Sequence, residues 1–256
     1  VSQPHETIAA AIRAAVAAGR PAIVGFMTAG FPRKDQFAAT LRAIGNEADV
    51  VEIGVPFSDP MADGMTIQRS SQAALAQHVS LAWILDELAT LTDRPRAPLL
   101  LMSYLNPLLA FGLHRLPRAA RAAGVAGFIV PDLPFEESAE LRAALATEGL
   151  ALVQMVTPVT PAARMKMLAE HSGGFVYAVT MTGVTGKSAT VPHDVLDYMD
   201  RIRAVSPVPV CAGFGIRSRE HVELMRGHVD GVIVGSALVE VLERGDDPAA
   251  FLRALR

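Results

Sequence analysis

Residues 50–68 read VVEIGVPFSDPMADGMTIQ, and the fold turns on how that stretch is divided. The first five residues form a short β-branched run with one carboxylate, Glu52, among apolar neighbours. A loop rich in Pro, Gly and Asp follows and carries Asp59 and Asp63. Strands covered by helices on both faces are apolar at nearly every position. A carboxylate within such a strand is costly unless it is satisfied or used. Glu52 read alone could simply cap a sheet hydrogen bond or pair with an arginine. Its place near the strand's C-terminal end, with two more acids just beyond, favours an acid–base site instead.

Working outward, apolar strand candidates occur at Ala22–Thr28, Val50–Gly54, Leu99–Ser103, Gly127–Val130, Leu150–Val156, Phe175–Thr180, 208–212 and 231–234. Most of them start about 23 to 33 residues apart, and helical patterns fill the gaps. Repeated βα units of that length predict a parallel sheet with right-handed crossovers, and eight strands can close a (β/α)₈ barrel. A doubly wound open sheet is the alternative. It usually has fewer strands, and no GxGxxG follows the first strand, where TAGFP stands.

The predicted architecture is therefore α/β, a (β/α)₈ TIM barrel in a single domain over 1–256. An added N-terminal helix covers residues 6–18, with Ile8, Ile12 and Val16 on one face and Gly19 ending it. The longest gap, between the second and third strands, holds an extra helix: one stretch from Thr66 to Gln77 and another from Ser80, its N-cap, to Leu91. Asp35 is expected to cap a helix running to about Glu47, and a further helix is expected over 112–122. A last helical stretch opens at Ser236.

Composition narrows the function. With 51% apolar residues the chain can fill a real core, and 23 basic against 26 acidic residues leave no basic stripe for nucleic acid. One cysteine, Cys211, excludes an internal disulfide and multi-cysteine metal sites. Arg13 and Arg20 interrupt the N-terminal apolar segment, so no signal peptide is expected, and no apolar run is long enough to span a membrane. The expected location is cytoplasmic. The three lysines, Lys34, Lys166 and Lys187, lie outside the strand ends, which disfavours Schiff-base chemistry. The seven histidines are scattered, with no metal-ligand spacing.

The last three strands finish in glycine-bearing turns: Gly183 and Gly186, Gly213 and Gly215, Gly235 with Ser236. Any one glycine can merely make a βα turn. Three adjacent turns, with a helix opening at Ser236, together suit a phosphate group. Phe26, Tyr104, Phe128, Tyr177 and Phe214 offer an apolar wall, although each could equally be core. Carboxylates, an apolar wall and a phosphate clamp together suggest a phosphate ester with a bulky apolar part.

These motifs resemble the tryptophan synthase alpha subunit family over essentially the whole length. The likeness is densest at VEIGVPFSDPMADG, LLLMSYLNP, FIVPDLPFEES, GVTG, CAGFGIRS and VIVGSALV. The resemblance implies cleavage of indole-3-glycerol phosphate to indole and glyceraldehyde 3-phosphate, with no cofactor in this chain. It implies a pyridoxal-phosphate-dependent beta subunit as partner in an α₂β₂ assembly, with indole passing through a tunnel to the beta site. By motif, it puts the catalytic glutamate on Glu52 and the catalytic aspartate on Asp63. The indole pocket falls on Phe26, Tyr104 and Tyr177, with Phe214 beside them. The phosphate site falls on Gly186, Gly215, Gly235 and Ser236, and a closing loop carries Thr185. Pro56 and Asp59 are expected to face the beta subunit. Three positions depart from common family residues: Met65 for proline, Met181 for arginine and Phe31 for aspartate. Other phosphate-binding barrel enzymes of aromatic amino-acid synthesis, or a non-catalytic barrel subunit, remain the alternatives.

Overall fold

The computed structural model describes residues 3–180 and 191–256. Eight parallel strands, β1 (Ala22–Thr28), β2 (Val50–Gly54), β3 (Leu99–Met102), β4 (Val125–Ile129), β5 (Ala151–Val156), β6 (Val176–Val179), β7 (Val210–Gly213) and β8 (Gly231–Val234), close in sequence order. The closing pair aligns Ala22 of β1 with Gly231 of β8. The fold is a (β/α)₈ TIM barrel, as the strand spacing predicts. The helices around it are α1 (Pro4–Ala17), α2 (Phe37–Gly45), α3 (Met65–Ala76), α4 (Leu81–Thr90), α5 (Leu105–Phe111) and α6 (Leu116–Ala122). They continue as α7 (Ala139–Ala146), α8 (Ala162–Glu170), α9 (His193–Val205), α10 (Arg219–Met225), α11 (Ser236–Arg244) and α12 (Pro248–Ala254).

Alternation along the strands sorts side chains into two cores, because successive residues point to opposite faces. On β7, Cys211 joins an inner cluster with Val24, Val50, Leu100 and Val153, while Val210 and Ala212 join the outer layer between barrel and helices. The inner cluster is completed from below by Ile8, Ile12 and Ala15 of α1, so the added helix floors the barrel. At the same end, Asp49 accepts the Ile23 N–H at 2.8 Å and both prongs of Arg20 at 2.7 Å. That arrangement fixes the start of β1 beside β2.

The extra helical unit between β2 and β3 is present as α3 and α4, and the Ser80 hydroxyl oxygen accepts the Trp83 N–H at 3.3 Å as its N-cap. Three local expectations are corrected. Asp35 is paired with Arg33 at 2.6 Å in a 3₁₀ turn over Lys34–Gln36, and α2 starts at Phe37 without it. The helix expected over 112–122 is shorter, Leu116–Ala122, and a further helix, not anticipated from sequence, precedes it over Leu105–Phe111. Pro107 falls in the first turn, where its missing N–H costs nothing, and the Leu105 N–H is accepted by Asp132 at 2.9 Å. The C-terminal stretch is two helices. Gly245, at φ +75°, ends α11, and the Asp247 carboxylate caps α12 by accepting the Ala249 N–H at 2.8 Å.

Candidate active site

Phe26, Glu52 and Leu100 stand side by side on β1, β2 and β3, all pointing into the barrel. Gly54, one inward step above Glu52, makes room for the Phe26 ring: a Cβ there would meet the ring at 2.6 Å. Above this layer a cavity of about 390 Å³ opens at the C-terminal mouth, with Phe26, Glu52, Asp63, Tyr177, Gly235 and Ser236 in its wall. Glu52 is only 1% exposed, and among the described residues its Oε2 has no hydrogen-bond partner. Burial, and secondarily the charge of Asp63, push its pKa up to about 8. At neutral pH the carboxyl therefore holds a proton.

Asp63 reaches the cavity from the loop that follows β2. Burial raises its pKa, and the nearby Tyr104 hydroxyl opposes that rise. Two residues not singled out by sequence shape this loop or its surroundings. Gln68 donates its side-chain N–H to the Asp63 carbonyl at 2.8 Å, and Phe57 stacks on Tyr104 with centroids 5.1 Å apart. The Tyr104 hydroxyl accepts the Ala62 N–H at 2.8 Å. Tyr104 thus pins the acidic loop and lies behind Asp63, outside the main cavity wall. Phe128 and Phe214 are buried and are not among the described side chains that line the cavity. For Phe128 the reason is the strand alternation, which sequence cannot phase when both faces are apolar, whereas Phe214 follows the end of β7. Tyr177 does line it, and burial with the two carboxylates pushes its phenol pKa up.

At the opposite rim, Gly215 takes φ +66°, a conformation that favours glycine. Gly235 differs: its φ is −98°, and among the described residues no heavy atom lies near where a Cβ would project. Its bareness leaves the start of α11 open, with Gly235, Ser236 and Ala237 all facing the cavity. Free N–H groups and the positive helix end suit an anion. Arg217, unmarked by sequence reasoning except within GFGIRS, also reaches this rim. Thr185, Gly186, Gly183, Lys187 and Met181 lie outside the described residues. Asp59 is exposed and Pro56 is buried, so only the former offers surface to a partner. Phe31 is 7% exposed and packs in the outer core, whereas Met65, the first residue of α3, is 68% exposed. Among the described residues no group of histidine, cysteine or acidic side chains could hold a metal.

A TIM barrel with a proton-holding acid, a second carboxylate and an anion-suited helix start at one mouth defines a carboxylate-dependent enzyme of small phosphorylated molecules. The tryptophan synthase alpha chain profile matches residues 12–255. The chain is 46% identical over 244 residues to the tryptophan synthase alpha chain of Nitratidesulfovibrio vulgaris, covering 95% of each. It is 44% identical to that of Chloroflexus aggregans, over 88% of this chain and 85% of the other. The fold matches Mycobacterium tuberculosis tryptophan synthase with a TM-score of 0.89 at 34% identity, covering 97% of this chain and 96% of that one. The alpha subunit from Legionella pneumophila gives 0.86 at 31% identity, with the same coverage. This chain belongs to the tryptophan synthase alpha chain family and is a carbon–carbon lyase of tryptophan biosynthesis.

Proposed function

We propose that this chain cleaves indole-3-glycerol phosphate to indole and D-glyceraldehyde 3-phosphate, with Glu52 and Asp63 as its catalytic residues. The observation that carries the assignment is Glu52 itself: a buried carboxyl whose Oε2 has no partner among the described residues, holding its proton at neutral pH in the wall of the cavity. Glu52 gives that proton to indole C3, turning the ring into an indolenine cation. Asp63 accepts the ring N–H and stabilises the positive charge. The Glu52 carboxylate then takes the C3′ hydroxyl proton as the C3–C3′ bond breaks. The bond pair returns to the ring, which leaves as neutral indole, and the aldehyde forms at C3′. One group thus acts as acid and then as base. Phe26 and Tyr177 wall the ring, and Tyr104 holds the loop that carries Asp63. Gly215, Gly235 and Ser236, with Gly186 and Thr185 from outside the described residues, bind the phosphate and position the bond.

The partner in this reading is a tryptophan synthase beta subunit in an α₂β₂ assembly, which holds the pyridoxal phosphate and receives the indole; this chain uses no cofactor. The reading is supported by exposed apolar side chains around the barrel mouth: Met61 (83% exposed), Val159 (77%), Met65 (68%) and Leu109 (50%) all follow C-terminal strand ends. Asp59 adds an exposed acid to the same face. Location in the cytoplasm follows from the pathway; no helix of the described residues is long and apolar enough to cross a membrane.

The test is release of indole and glyceraldehyde 3-phosphate from indole-3-glycerol phosphate by the purified chain, alone and with the cognate beta subunit. Release that rises on adding beta is expected. Folded protein that releases neither product in either mixture would overturn the reaction.

A further inference from the structure

Arg217 is the one basic side chain among the described residues lining the cavity, and it stands on the loop after β7 beside Gly215, Gly235 and Ser236. Its guanidinium makes a two-pronged pair with Glu240 of α11, Nη1 to Oε2 at 2.6 Å and Nη2 to Oε1 at 2.9 Å. Glu240 lies four residues beyond Ser236, one helical turn or about 6 Å along the axis. An acid that close to the helix start opposes the binding of a second anion there unless a cation stands between them. The pair is 51% exposed on the arginine side and 26% on the glutamate side. Pairs this open contribute little stability, so exchanging one partner for another costs little. A phosphate dianion offers the same planar fork two oxygens and a larger charge. Arg69 and Arg244 also act on Glu240, so its charge stays compensated when Arg217 leaves.

We infer that Arg217 is a phosphate-recognition residue: it rests on Glu240 and transfers its guanidinium to the substrate phosphate when that group sits at Gly215, Gly235 and Ser236. The backbone N–H groups then supply direction and Arg217 supplies charge. Glu240 acts as the competitor that sets how tightly phosphate is held. The inference rests on the phosphate reading of these turns and adds a side chain to it.

Calorimetric titration with glycerol 3-phosphate, which carries the phosphate without the indole, tests both levels. Arg217→Gln is expected to weaken binding about tenfold and to flatten its salt dependence. KM for indole-3-glycerol phosphate should rise in step while kcat changes little. Glu240→Gln, which frees Arg217, is expected to tighten binding severalfold. If the pair merely strapped the loop to α11, both substitutions would weaken binding together. That common sign, or unchanged binding in Arg217→Gln, would overturn the inference while leaving the phosphate site standing. Wild-type chain that binds an indole analogue but no glycerol 3-phosphate would remove the phosphate reading and this inference with it. Should Arg217→Gln not fold, the sign of the Glu240→Gln effect decides alone.

Discussion

The floor and the mouth of this barrel are built from the same strands, yet they obey opposite rules. On β2, Val50 points inward into an apolar cluster with Ile8 and Ile12, and two residues later Glu52 points inward as a buried acid, one oxygen without a partner among the described residues. On β7 the same step leads from Cys211, fully buried, to Gly213 in the cavity wall. Below, every inward group is apolar and matched; above, the fold keeps a group that burial opposes. One inward step along a strand thus separates the residues that make the barrel stable from those that make it useful. A carboxyl held protonated at neutral pH can exist only because the floor beneath it supplies the stability to bury it.

The sharpest way to break this division is Glu52→Gln. Turnover of indole-3-glycerol phosphate is expected to fall roughly 10⁴-fold, the upper range for losing a positioned acid–base group. Stability should move the other way. The pKa of Glu52 is about 8 in the folded chain against 4.5 unpaired in water, so the native state holds a proton that the unfolded state has released. Between about pH 4.5 and 8 that proton makes the native state less stable as pH rises, by up to on the order of 5 kcal/mol. Thermal melts of wild type should therefore drop across this window relative to Glu52→Gln, and wild-type kcat/KM should decline above about pH 8 as the acid form is lost. Parallel melting curves for the two proteins would put the buried charge elsewhere.

Asp63→Asn comes next, with an expected loss of roughly 10²-fold in turnover measured by indole release, since stabilisation of the ring cation is lost while the proton donor stays. Retained activity would leave Glu52 as the sole acid of the mechanism. The mildest test acts on the floor: Ile12→Val should cost about 1 kcal/mol in denaturant melts and leave kcat unchanged. A large drop in kcat from that change would show that floor and mouth are coupled.

Much of this molecule was legible in sequence because its strands are short, apolar and evenly spaced, and because Glu52 breaks the apolar rule in the one place that matters. The helix over Leu105–Phe111 left no clear sequence signal, since a proline suits a helix only in its first turn, where Pro107 stands and Asp132 accepts the Leu105 N–H. Phe128 could not be assigned to wall or outer core, because a strand apolar on both faces carries no phase. Tyr104 showed its residue type but not its task, which depends on the Ala62 N–H. Arg217 gave no signal beyond a motif, since its partner Glu240 lies on a different element and only the closed barrel brings the two together.

The floor helix also sets an order of events during synthesis. Pro4–Ala17 is made before every strand of the barrel, yet Ile8 packs against Gly174, just ahead of β6, and Arg13 donates to the Pro207 carbonyl, just ahead of β7. Until the ribosome has delivered those segments, the apolar stripe of Ile8, Ile12 and Ala15 has only part of its seat. The nascent chain therefore carries a partly uncovered apolar helix until β6 and β7 have been made. Chaperones that hold apolar helices have a target in this helix while the barrel is still open.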